Sequence, residues 1–130
     1  MAKKVLCVDD DPAVVVAMET VVEESGYTPL TAPNGEEGLR KVRAEKPDLV
    51  ILDVLMPKQS GIKMYRELKT DQELKQIPVV IHSGIARRTF LRSQEALTEF
   101  GDEPVAEPEE YLEKPVEPEE IAETLKRILG

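Results

Sequence analysis

Short apolar runs with almost no polar interruption alternate with amphipathic stretches along this chain, and that alternation constrains the fold more than any other feature. Lys4–Val8 (KVLCV), Leu49–Asp53 (LVILD) and Ile77–His82 (IPVVIH) are continuously apolar over most of their length. A strand buried on both faces of a parallel sheet has this pattern, whereas a half-exposed strand alternates apolar and polar residues. Thr28–Ala32 reads as a weaker strand, and Tyr111-Leu112 lies in a short fifth one. Asp11 and Pro12 have the chemistry of an N-cap and a first helical position. Val14, Met18, Val21 and Val22 follow at helical spacing, and Ser25-Gly26 closes that helix. Asn34-Gly35 opens a second helix through about Glu45, with Leu39 and Val42 inward. Lys46-Pro47-Asp48 reads as a turn and Pro57–Gly61 as a loop. Ile62–Thr70 reads as a helix with Met64, Tyr65 and Leu68 at its apolar positions, and Ala86–Phe100 as the next helix. Pro118–Leu129 ends the series, with Ile121, Leu125, Ile128 and Leu129 on one face. Strand and helix taken in turn five times predict an α/β, doubly wound parallel sheet with helices on both faces. Right-handed crossovers then leave a crevice at the carboxyl ends of the strands.

The chain has 130 residues, enough for one domain with a single core, and the expectation is one domain over 1–130. No apolar run approaches the roughly 20 residues of a membrane span, and the start, MAKKVLCV, does not read as a secretory signal. The single cysteine, Cys7, allows no intrachain disulfide; it reads as a small buried hydrophobe, and the cytoplasm is the expected compartment. The net charge of −9 is unevenly placed: Glu99 to Glu123 holds 11 acids and one base, while the remainder holds 15 acids and 16 bases. Such an acidic stretch repels nucleic acid phosphates.

Polar groups gather where the strands end. Asp9 and Asp10 close the first strand, Asp53 the third, Ser83 follows the fourth and Lys114 the fifth. Carboxylates crowded together raise one another's pKa unless a cation offsets them. Hard oxygen ligands without a His or Cys cluster favour Mg²⁺, with Mn²⁺ or Ca²⁺ as substitutes. Mg²⁺ takes one or two carboxylates and leaves positions for phosphate oxygens. An aspartate can itself accept a phosphoryl group, with a cation, a lysine and a hydroxyl holding the remaining oxygens.

These residues carry a resemblance. VLCVDDDP, PDLVILDVLMPKQSG, IPVVIHSG and YLEKPVEPEE, in this order, make the chain resemble the receiver domain of two-component response regulators over its whole length. The resemblance implies a (βα)5 flavodoxin-like fold with strand order 2-1-3-4-5. It implies that Asp53 is the phosphoacceptor and that Asp10, Asp53 and the backbone carbonyl of Leu55 bind Mg²⁺ directly, with Asp9 acting largely through water. Ser83 is then expected to hydrogen-bond the phosphoryl group. Lys114, before Pro115 in a cis bond, is expected to pair with it, and Tyr111 to turn inward as the switch aromatic. The implied phosphoryl donor is a sensor histidine kinase or a histidine phosphotransfer protein. His82 reads as a strand residue flanking the site rather than a second phosphoryl carrier.

The chain also departs from the receiver pattern. Ser83 and Lys114 are farther apart than in most receivers, and the excess lies in FGDEPVAEPEE, giving an acidic insertion at about 101–110 between the fourth helix and fifth strand. It is expected to fold back against Arg87, Arg88 and Arg92, or to mark a partner-specific surface. Leu55 and Ile85 occupy the positions that tune phosphoryl lifetime in the family; neither can orient a water, so slow autodephosphorylation is expected. The chain ends at Gly130, so no output domain and no direct DNA binding are expected. Output then runs through an unknown downstream protein, through phosphorylation-dependent homodimerisation, or through onward phosphoryl transfer as a relay or phosphate sink. A turnover enzyme is not expected: a dehalogenase-type phosphohydrolase wants a second acid two residues after the nucleophile, and position 55 is Leu.

Overall fold

The computed structural model describes residues 2–130. Five strands and five helices alternate: β1 (Lys4–Val8), α1 (Pro12–Glu24), β2 (Thr28–Ala32), α2 (Gly35–Glu45), β3 (Leu49–Leu52), α3 (Ser60–Thr70), β4 (Val79–Ser83), α4 (Arg87–Glu99), β5 (Glu110–Glu113) and α5 (Pro118–Leu129). All strand pairs are parallel, in the order β2-β1-β3-β4-β5. This is the flavodoxin-like arrangement expected from the sequence.

Alternate residues of each central strand enter opposite cores. Leu6, Val8, Val50, Leu52, Val79 and Ile81 face Val42 of α2, Met64, Tyr65 and Leu68 of α3 and Phe90 of α4. Val5, Cys7, Leu49, Ile51 and Val80 face Met18, Val21 and Val22 of α1 and Ile121, Leu125 and Leu129 of α5. Two-sided burial is why these strands carry no polar alternation. Pro29 and two threonines are tolerated in β2 because it is an edge strand. Burial also pushes the Cys7 thiol up to about 12, with smaller contributions from Glu19 and Asp9, so Cys7 is an inert core residue.

Some boundaries differ from the sequence expectation. Pro57–Gln59 is a 3-10 turn rather than an open loop, and α3 begins directly after it at Ser60. Lys58 and Gln59 both take left-handed backbone, φ 58° and 56°, a conformation that no glycine or asparagine signals here. Asp53 falls just beyond β3 and Ser83 is the last residue of β4. Ile77 and Pro78 precede β4: the Ile77 N–H donates to Leu74 at 3.0 Å, so it closes a turn instead of joining the ladder.

Residues 102–108 form no regular element, yet they lie against the protein. Val105 packs on the α2/α3/α4 core. The Tyr65 hydroxyl donates to the Ala106 carbonyl, and Arg66 donates to the Glu103 carbonyl and to Gln94 Oε1 of α4 at 2.5 Å. Lys69, with a buried side chain, donates to Glu109 Oε1 at 2.7 Å, and the same oxygen accepts the Val79 N–H. Of the arginines named from the sequence, Arg87 pairs with Glu107 at 2.8 Å. The other charged side chains that hold the segment, Arg66 and Lys69, come from α3.

Two helices approach their neighbours too closely for any side chain larger than glycine. A Cβ on Gly35 would stand 2.0 Å from the Ser60 carbonyl oxygen, and one on Gly61 would stand 2.2 Å from the Asp53 carbonyl oxygen. Gly61 therefore lets the first turn of α3 rest on the backbone that carries Asp53. Gly61→Ala is expected to cost about 1–3 kcal/mol through overpacking. Gly84→Ala, where a Cβ meets nothing within 4 Å, serves as the near-neutral control in the same urea denaturation series.

Candidate functional site

The strand register assembles the site. Val8 is level with Leu52 across β1 and β3, and the Asp53 N–H donates to the Val8 carbonyl at 3.0 Å. Asp9 and Asp53 therefore leave adjacent strands at the same height. Ser83 is level with Glu113 across β4 and β5, and the Lys114 N–H donates to the Ser83 carbonyl at 2.8 Å. Lys114 thus begins one residue past the sheet, and the bond from it to Pro115 is cis.

Asp9 and Asp53 are both buried and are bound in the same way. Asp9 Oδ1 accepts the Asp11 N–H at 2.9 Å, and Asp53 Oδ1 accepts the Leu55 N–H at 2.9 Å. The second oxygen of each accepts from Lys114 Nζ, at 3.0 Å for Asp9 and 3.4 Å for Asp53. One ammonium thus offsets two carboxylates that the sheet forces together. Burial pushes the Asp9 carboxyl above its usual range, against the Asp11 N–H and Lys114, which stabilise the charged form. For Lys114, burial pulls the pKa down, but the Asp9 hydrogen bond and the charges of Asp53 and Asp9 together carry it above the ordinary lysine value. The ammonium is charged throughout the neutral range.

Asp10 is exposed, and its carboxylate reaches the same spot from the solvent side. One oxygen from each of Asp9, Asp10 and Asp53 lies within 4.8 Å of the others. Three carboxylates against one lysine leave a net negative charge and an all-oxygen donor set, which fits a hard divalent cation. Asp11, the third of the sequence run, serves the helix instead: its Oδ1 accepts the Ala13 N–H at 3.0 Å and caps α1.

Ser83 is fully buried, and its Oγ accepts the Ile85 N–H at 3.3 Å. Tyr111 is inward: it packs on the core, and its hydroxyl donates to the Ile85 carbonyl at 2.6 Å. Leu55 stands exposed at the rim, while Ile85 rests against the core. His82 is buried in β4, where loss of water, then the nearby Lys114 charge, pull its pKa down to about 4 against a smaller opposing effect of Asp53. His82 is thus an enclosed strand residue flanking the site, with little solvent access. Arg66 and Lys69, which hold the segment after α4, are not singled out by the sequence motifs. The signal for Lys69 was available, since it falls four residues after Tyr65 on the inward face of α3.

The profile of the response regulator receiver domain matches residues 5–126. The chain belongs to this family. Receivers of this family are phosphorylation-controlled switches of two-component signalling, and this chain is one. It is 36% identical over 129 residues to the alkaline phosphatase synthesis transcriptional regulatory protein PhoP of Bacillus subtilis, covering 99% of this chain but spanning about half, 49%, of PhoP. It is 33% identical over 127 residues to protein PilH of Pseudomonas aeruginosa, covering 98% of each. The structure of the chemotaxis protein CheY4 of Vibrio cholerae superposes with a TM-score of 0.82 at 26% identity, over 99% of this chain and 100% of that one. Among the described residues, no helix of the receiver is long and apolar enough to cross a membrane.

Two outcomes follow from the electrostatics. A divalent cation that binds only the folded receiver adds about 1.4 kcal/mol at ten times its dissociation constant. Thermal melts in Mg²⁺ are expected to rise by several degrees for the parent protein and to lose that rise in Asp10→Asn. The second outcome concerns His82, whose folded pKa lies below its unfolded value near 6.5. Between these values the unfolded chain binds the extra proton, so this contribution is complete above pH 6.5 and is lost as pH falls toward 4. Urea titrations at pH 7.5 and 5 should show the parent losing roughly 1–2 kcal/mol more than His82→Leu.

Proposed function

We propose that Asp53 is the phosphoacceptor of this receiver, and that its donor is a phosphohistidine on a sensor histidine kinase or a histidine phosphotransfer protein. The observation that carries the reading is Lys114 Nζ between Asp9 and Asp53, with Asp10 beside them. A carboxylate oxygen of Asp53 forms the O–P bond as the P–N bond of the phosphohistidine breaks, and the electron pair leaves on the imidazole nitrogen. Asp10, Asp53 and the Leu55 carbonyl, with Asp9 largely through water, would hold Mg²⁺, which would supply positive charge beside the phosphoryl oxygens. Lys114 exchanges part of its contact with Asp53 for a phosphoryl oxygen. The Ser83 hydroxyl donates to another. Tyr111 stays inward in that arrangement, which fixes the face of α4, β5 and α5 that a downstream protein or a second copy reads. Phosphate biases the switch only through contacts it makes better in one arrangement than the other.

The receiver is read as a switch and not a turnover enzyme. Leu55 and Ile85 offer no group that orients a water toward the phosphoryl phosphorus, so hydrolysis is slow.

Intact mass after incubation with Mg²⁺ and acetyl phosphate tests the assignment. The parent protein is expected to gain one phosphoryl adduct that Asp53→Ala lacks and that chelator prevents. An adduct retained on Asp53→Ala would overturn it. The adduct is expected to persist for minutes or longer, and a half-life of seconds would contradict the role given to Leu55 and Ile85.

A further inference from the structure

Three aromatic rings run from the switch tyrosine to the acidic segment. Tyr111 packs on Phe90 with ring centroids 5.6 Å apart at 44°, and Phe90 meets Tyr65 edge-on at 5.1 Å and 82°. Both ends are tied by hydroxyls. Tyr111 donates to Ile85, between the site and α4, and Tyr65 donates to Ala106 in the segment after α4. Tyr65 and Phe90 are fully buried, so neither ring has free space in which to move.

We propose that Tyr65, held by the acidic segment 102–109, is a positioning residue for the phosphoryl switch: through Phe90 it keeps Tyr111 inward. The inference rests on the reading of Asp53 as phosphoacceptor. Outward movement of Tyr111 leaves a void beside Phe90, which the edge-on Tyr65 ring cannot fill while its hydroxyl stays on Ala106. Lifting the segment removes the acceptor from a buried hydroxyl, takes Val105 off the core and breaks the Arg66, Lys69 and Arg87 contacts. Arg66 is the centre of this clasp, since it bonds α4 through Gln94 and the segment through Glu103, with Asp102 at 3.8 Å from Nε. The docked segment and the inward tyrosine are one packed arrangement, and packed interiors change in discrete steps. A phosphoryl group that favours the inward tyrosine therefore also favours the docked segment. By reciprocity the docked segment raises affinity for the phosphoryl group by the same factor. The acidic insertion is thereby a built-in effector of the site, acting from the far side of α4.

The test measures beryllofluoride affinity, as a phosphoryl mimic, in saturating Mg²⁺, with Mg²⁺ affinity measured separately. Tyr65→Phe keeps the ring and removes the hydroxyl; Arg66→Ala opens the clasp and leaves all three aromatic rings in place. Each is expected to lose about fivefold in beryllofluoride affinity with Mg²⁺ affinity unchanged. Val21→Ala, in the opposite core, destabilises the protein without changing either affinity. In the parent, beryllofluoride is expected to slow amide exchange across 102–109. Parent-like beryllofluoride affinity in both Tyr65→Phe and Arg66→Ala would overturn the inference alone, as would exchange across 102–109 that ignores beryllofluoride. No beryllofluoride binding by the parent would overturn the reading of the site, and this inference with it.

Discussion

The ammonium of Lys114 lies between two buried carboxylates, and the site depends on that contact. A parallel sheet with β1 beside β3 brings Asp9 and Asp53 to the same height at its carboxyl edge, where burial disfavours the charge of Asp9. Each carboxylate gives one oxygen to the N–H two residues onward and the other to Lys114. The lysine reaches them because β5 ends level with β4 and its next residue hydrogen-bonds the end of that strand. One cation against three carboxylates leaves the cluster short of positive charge. That shortfall suits the cluster to a divalent cation. An isolated buried pair contributes little net stability; this one is better understood as a pre-set charge arrangement.

Much of this was legible from local chemistry. LVILD identifies a two-sided strand and the acid at its end, and Asp11-Pro12 marks the first turn of α1. Both follow from rules that act over a few residues. The convergence of Asp9, Asp53, Ser83 and Lys114 was legible because strand-helix alternation leaves few topologies, and the doubly wound one gathers strand ends on one rim. What was not legible is equally physical. The left-handed Lys58 and Gln59 are imposed by packing the turn against the start of α3, where Gly61 contacts the Asp53 backbone.

The acidic segment is the clearest case of a limit. Its composition suggests solvation, and the nearest bases in sequence, Arg87, Arg88 and Arg92, are the natural guess for its counter-charges. The structure takes Arg87 for one of them but draws Arg66 and Lys69 from α3, some 40 residues away for the Lys69–Glu109 pair. Charge alone does not decide which base meets which acid; that choice follows the path of the segment, with Val105 packed on the core. Backbone carbonyls of Glu103 and Ala106 matter as much here as the carboxylates, and a count of acids is blind to them.

On the proposed reading, Lys114 is shared between the two buried carboxylates until it exchanges part of its contact with Asp53 for an oxygen of the incoming phosphoryl group. A crystal structure with Mg²⁺ and beryllofluoride tests this most directly. The account predicts beryllofluoride on Asp53, Lys114 Nζ and Ser83 Oγ both within hydrogen-bond reach of fluoride, and Mg²⁺ on the carboxylate cluster. Beryllofluoride bound elsewhere, or bound at Asp53 with Lys114 still bridging Asp9 and Asp53 and no contact to fluoride, would contradict it.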